Sequence, residues 1–232
     1  MQLNADFSQR VAVHAATLDW VPSPVTGIDR RMLDRIGGEV ARATSIVRYA
    51  PNSHFSPHTH GGGEEFLVLD GVFQDETGDF PAGSYVRNPP QSRHAPGSAS
   101  GCTIFVKLWQ FDPLDRIPLR LHPSALEFTP EELRAGVAVK PLFRDACEEV
   151  RLEHWGPHTR VRWPVLPGGG EILVVDGMFH ESNEHFGRLS WLRLPPGAAL
   201  DAHAGRDGCQ LWVKTGHLAR PAHLPVTGGG VC

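Results

Sequence analysis

His58-Thr59-His60 is followed by Gly61-Gly62-Gly63, a glutamate at position 64, an apolar run through Leu69 and then Gly71. Side chains two apart on an extended strand share one face, so two imidazoles here can meet one ion. The three glycines permit a bend at little steric cost, and Glu64 can then bring a carboxylate back to the same ion. Beyond a second Gly/Pro turn, Pro81-Ala82-Gly83, the chain offers a third imidazole at His94. Three neutral imidazoles and a carboxylate suit a divalent transition metal such as Zn, Fe, Ni or Mn, and leave one or two positions for water or a small molecule. The expected metal ligands are therefore His58, His60, Glu64 and His94, with one ion per chain.

The elements that must hold these residues recur. Gly61-Gly-Gly-Glu-Glu-Phe-Leu-Val-Leu-Asp-Gly-Val-Phe73 returns as Gly168-Gly-Gly-Glu-Ile-Leu-Val-Val-Asp-Gly-Met-Phe179, and Gly101-Cys102 and Val106-Lys107 return as Gly208-Cys209 and Val213-Lys214. Self-similarity at this period signals two copies of one module. The apolar runs are short and bounded by Gly, Pro and Asp, which favours strands arranged in a sandwich or barrel. The expected divisions are residues 1–115 for a first barrel with the metal site, 116–135 for a linker, and 136–232 for a degenerate second barrel. Within the linker, Thr129-Pro-Glu-Glu132 reads as the capped start of a short helix closed by Gly136.

Alignment of the copies also separates two adjacent carboxylates. With Gly71 set against Gly177, Glu171 corresponds to Glu65 and Gly170 to Glu64. The second copy has Pro164 and Leu166 in place of His58 and His60, so it is expected to hold no metal, and the glutamate it kept is expected to be structural. Glu64 is then the ligand, and Glu65 forms an ion pair or hydrogen bond. His158, His180, His185 and His203 are expected to carry no metal role.

Composition narrows the function. The chain has 22 basic and 26 acidic residues, a net charge of −4, and no basic stripe for nucleic acid or anionic lipid. No run approaches 18 apolar residues and the polar start lacks the parts of a signal peptide, so the expectation is a soluble cytoplasmic protein, monomeric or homodimeric, without a membrane partner. Cys102, Cys147, Cys209 and Cys232 form no Cys-x-x-Cys pair, and read as structural thiols with Cys232 exposed at the C-terminus.

The metal stretch resembles the cupin signature, Gly-x5-His-x-His-x3-4-Glu-x6-Gly followed by Gly-x5-Pro-x-Gly-x2-His-x3-Asn. His58, His60, Glu64 and Gly71 match the first half, and Pro81, Gly83 and His94 match the second with a longer interval. Asn52 stands in place of the initial glycine, and Gly97 or Ser98 in place of the closing asparagine. More narrowly, Pro57-His-Thr-His-Gly-Gly-Gly-Glu-Glu-Phe-Leu-Val-Leu69 and Gly101-Cys-Thr-Ile-Phe-Val-Lys-Leu108 look like the cupin domain of ChrR-type anti-sigma factors. The resemblance implies an all-β fold of two tandem cupin barrels, each a double-stranded β-helix or jelly roll. It also implies a metal-binding sensor or regulatory module for stress. Anti-sigma activity in that family belongs to a separate zinc domain with a His-x3-Cys-x2-Cys motif, which this sequence lacks, so activity by that route is not expected.

The alternative is a metal-dependent dioxygenase, or another cupin enzyme, acting on a small organic substrate at the metal. Arg87, Arg93 and Tyr49 are the candidate substrate-binding residues, two cations able to pair with an anionic ligand and a phenol beside the metal strand. The residues alone name no catalytic group.

Overall fold

In the computed structural model, which describes residues 1–219 and residue 224, the chain builds two β units with matching sheets. In the first, the hydrogen-bonded order is Gln2–Leu3, Ile28–Gly37, Ala41–Tyr49, Cys102–Leu108, Glu64–Asp75, Tyr85–Asn88 and Leu119–Leu121. In the second it is Thr129–Pro130, Val137–Arg144, Glu149–Trp155, Leu200–Thr215, Gly170–Glu181, Ser190–Leu194 and Val11–His14. The expected pair of all-β jelly-roll barrels is what the chain forms. Cys232 lies outside the described residues.

Strand alternation decides what each barrel encloses. Along Glu64–Asp75, Phe66 and Val68 join a core with Val47, Tyr49, Phe73, Val86, Ile104 and Val106. Glu64 shares their face, whereas Glu65 points the other way. The second barrel is filled by Trp155, Trp163, Phe179, Phe186, Leu192 and their neighbours, with Leu166 packed against them. A bulge interrupts the ladder beside the repeated Asp-Gly in both copies. Gly71 and Gly177 have φ of +70° and +71°, and a Cβ there would lie 2.1 Å from the Gly101 carbonyl oxygen and 2.3 Å from that of Gly208. Only glycine meets both demands.

Two expectations fail. The units are not consecutive halves: Asp6–Leu18 belongs to the second and Asp19–Pro123 to the first. Val11–His14 runs antiparallel to Ser190–Leu194, and Leu119–Leu121 antiparallel to Tyr85–Asn88. Each segment preceding one copy thus covers a strand edge of the other, satisfying backbone groups that would otherwise be open. Much of the stretch read as a linker is therefore structural.

The short helix at Thr129 is also absent. Thr129 and Pro130 pair with Val139 and Ala138, and the Thr129 hydroxyl donates to the Val139 carbonyl instead of capping a helix. The Glu131 N–H donates to the Val137 carbonyl, closing a turn at Gly136, φ +81°. With six residues between strands, a ladder that continues to Val137 outcompetes one helical turn, whose nucleation is costly. Among the described residues the helical segments are 3-10 turns at Ala15–Thr17, Pro123–Ala125 and His217–Ala219. None is long and apolar enough to cross a membrane.

Candidate metal centre

His58 and His94 are directly opposed on two short antiparallel strands, His58–Thr59 and Arg93–His94. His60 follows, held by its N–H to the Ser92 carbonyl and by its carbonyl to the Gln91 N–H. Ring centroids lie 4.9 Å apart for His58 and His60, 5.2 Å for His58 and His94, and 4.7 Å for His60 and His94. One nitrogen from each ring falls within 4.8 Å of the other two. Glu64 reaches the same point, its Oε2 3.4 Å from Nε2 of both His60 and His94.

The orientation of the rings is set behind them. His58 Nδ1 lies 3.0 Å from the Ser56 carbonyl oxygen, and His94 Nδ1 lies 3.2 Å from Asp75 Oδ2. A ring that donates from Nδ1 to oxygen presents the Nε2 lone pair forward. Glu64 accepts from Asn88 Nδ2 at 3.0 Å, and Asn88 Oδ1 in turn accepts from Arg120 at 3.3 Å. Arg120 also donates to the Thr77 hydroxyl at 3.1 Å, and Thr77 donates to Asp75 through its N–H and hydroxyl. One arginine on the edge strand thus steadies the supports of both Glu64 and His94. Sequence reading missed Asp75 and Arg120 in these roles, because nothing in their spacing links them to histidines on other strands.

The electrostatics point the same way. Burial lowers the pKa of His60, against the pull of Glu64, and His94 and His58 add to the lowering. At His94 burial also opposes a charge, but the Asp75 hydrogen bond and the nearby Glu64 outweigh it and raise the pKa. For Asp75 the bonds from His94 and Thr77 overcome burial and lower the pKa. The buried Nε2 atoms of His60 and His94 have no hydrogen-bond partner. Lone pairs facing a carboxylate oxygen demand a cation between them, and one proton does not serve three rings. The four residues fit a divalent transition metal by donor type and by this shared demand for positive charge.

A cavity of about 590 Å³ opens against His58, His60 and Glu64. Its walls are mainly apolar, with Val25, Ile28, Val47, Phe55, Ile104 and Leu108 among them. Tyr49 lines it too, and burial, then the charge of Glu64, holds its phenol well above the usual tyrosine range, so the hydroxyl keeps its proton. Trp109 closes over the triple glycine, where a Cβ on Gly62 would meet its ring at 2.3 Å.

Of the other candidate ligand-binding residues, Arg87 is buried and turned away from this cavity. It donates to Glu65 at 2.7 Å and Asp115 at 3.2 Å, and its guanidinium lies 4.3 Å from the Phe111 ring centroid. Its strand position pairs it with Glu65, one residue out of phase with Glu64. Arg93 is exposed on the strand opposite Thr59. Glu65 has the ion pair expected of it. The second barrel repeats the set: Arg193 and Lys214 are the strand partners of Glu171, and Arg193 lies 4.3 Å from the Phe7 ring centroid.

The ChrR cupin-like domain family model matches residues 8–112 and again residues 118–219. A comparison with curated protein sequences finds no match. Among solved structures, the chain is similar to a Nostoc punctiforme protein described as a "putative dioxygenase", with a TM-score of 0.74 and 16% identity over 96% of this chain and 88% of that one. It is also similar to Escherichia coli Ylba, at a TM-score of 0.69 and 13% identity over 91% and 93%. A third is the Escherichia coli pirin YhhW in complex with nickel(II), at 0.65 and 14% over 90% and 99%. At these identities the likeness is one of fold.

Proposed function

For a chain that belongs to the ChrR cupin-like domain family, we propose a metal-dependent enzyme of the dioxygenase class, acting on a small and largely apolar organic substrate in the first barrel. The observation that carries this reading is the apolar cavity of about 590 Å³ opening directly on His58, His60 and Glu64. A buried structural ion has no need of such a space beside it, whereas pockets of this size suit small organic ligands.

His58, His60, Glu64 and His94 would hold one divalent ion, Fe, Mn, Ni or Zn. When bound, that ion supplies Lewis acidity and, for a redox-active metal, a site for electron transfer. The chain's own residues do the rest. The apolar walls strip water from the substrate, and the protonated Tyr49 hydroxyl donates a hydrogen bond to one of its oxygen atoms. Asp75, Asn88 and Arg120 keep the ligands from turning. The proposed site is in the first barrel because Pro164, Leu166 and Gly170 replace three ligands in the second, and Leu166 packs against its core.

The test combines metal content with turnover. Purified protein is expected to retain one ion per chain after dialysis, and His58→Ala none. The Fe(II) form is expected to consume O₂ with a β-diketone or a catechol, and Tyr49→Phe to keep its metal while KM for that substrate rises about tenfold, the loss of one hydrogen bond at roughly 1.4 kcal/mol. No O₂ uptake with any redox-active metal would remove the enzyme reading. The family match favours a second one, a stress-sensing module; its mark is a partner protein that binds only after oxidant is added.

A further inference from the structure

Three of the four second-copy histidines expected to carry no metal role stand together. His180 is the direct strand partner of both His185 and His203, so the three stand in one row across the strands Glu184–Gly187, Gly170–Glu181 and Leu200–Thr215. Their neighbours Phe179, Phe186, Ala202 and Ala204 point into the core, which leaves the imidazoles on the outer face. His185 and His203 are exposed and His180 is half-buried. The register of the first pair is set by a tight hairpin at Ser182-Asn183, both with positive φ, as a two-residue loop of the I′ kind requires.

Ring centroids are 4.4 Å apart for His180 and His185 and 4.7 Å for His180 and His203. In the ligand set of the first barrel the same separations are 4.7 to 5.2 Å. His180 is therefore as close to each neighbour as the rings of the first set are to one another; the nitrogens of the three do not already converge as those of His58, His60 and His94 do, and the exposed rings of His185 and His203 must rotate to bring theirs to one ion. Burial and the two neighbouring rings lower the pKa of His180, which keeps its lone pair free at neutral pH. The next residue along the row, Arg160, does not oppose a cation there, because Asp201 takes both its Nε and Nη2 at 2.8 and 2.6 Å.

We propose that His180, His185 and His203 form a second metal site, an exchangeable one on the outer face of the second barrel, for a borderline divalent ion of the Ni(II), Cu(II) or Zn(II) type. Imidazole suits these ions, and water completes the shell at an exposed position. The site does not depend on the first-barrel reading. It lies on the outside of a barrel whose interior positions have lost their ligands.

The experiment titrates Ni(II) into untagged, chelator-treated His58→Ala protein by calorimetry. Saturable uptake of one ion per chain is expected, with His180→Gln and His203→Gln each weakening it about tenfold or more and the double variant removing it. All three positions face solvent, and circular dichroism checks that the variants keep their fold. Absence of saturable uptake, or uptake unchanged in the double variant, overturns the proposal. If His58→Ala keeps its resident ion, the first-barrel assignment fails instead, and the difference between wild type and the double variant still decides the surface site.

Discussion

At the scale of single residues, the candidate site rests on groups outside the proposed ligand set. Asp75 holds the His94 ring through Nδ1, and Asn88 holds Glu64. Partners of this kind raise ligand basicity and fix the tautomer, and their loss typically costs about 10–100-fold in metal affinity. Asp75→Asn is expected to fall in that range, because an amide nitrogen aimed at Nδ1 would favour the wrong tautomer; competition with a chelating dye measures it. A variant that binds metal as tightly as wild type would mean that Asp75 serves only its turn with Thr77. Much of this was legible beforehand. Ligand types and spacing pointed to His58, His60, Glu64 and His94, and the second copy's Glu171 separated Glu65 from Glu64. Arg87, a candidate substrate contact by its type, is buried in ion pairs with Glu65 and Asp115, and its outward phase follows from its pairing with Glu65, which spacing does not reveal.

At the scale of elements, the exchange of edge strands connects distant stretches of sequence. Phe7 lies beneath Arg193 in the second unit as Phe111 lies beneath Arg87 in the first. Phe7→Ala is therefore expected to destabilise the second unit by about 1–2 kcal/mol, the range for a partly desolvated cation–π contact. Metal content should not change, although residue 7 is nearer in sequence to the first barrel. Denaturant unfolding beside elemental analysis reads both; a lower metal content would contradict the division of the chain described above. The repeat made two barrels legible, but it said nothing of which barrel a segment between copies would join. That choice is made by unpaired strand edges, and only the assembled sheets have them.

At the scale of the whole molecule, two barrels of one ancestry differ in what fills them. The first keeps an open cavity, whereas the second places Glu153, fully buried, between Arg134 at 2.8 Å and Arg151 at 2.7 Å, with the Trp155 indole N–H also donating at 2.7 Å. Burial works against this carboxylate, but Arg151, Arg134 and Trp155 together hold its pKa below the usual 4.5. Between the folded and unfolded values the unfolded chain binds more protons. The stabilisation is thus complete above pH 4.5 and is lost as pH falls through the folded-state value. Glu153→Gln should lower stability at neutral pH by about 3 kcal/mol, since the buried Arg151 and the half-buried Arg134 lose the carboxylate nearest to them, and should flatten the decline below pH 4.5. Thermal unfolding from pH 3 to 7 tests both, and an unchanged acid slope would count against the assignment. The sequence by itself determined the local matters: short strands, a repeated module, and a candidate donor set of which three members lie close along the chain. Tertiary structure alone decided the exchanged edge strands, the supporting roles of Asp75 and Arg120, and the row of three histidines on the second barrel. Each of these joins residues on different strands, and which residues meet depends on the register of whole sheets, which no local spacing encodes.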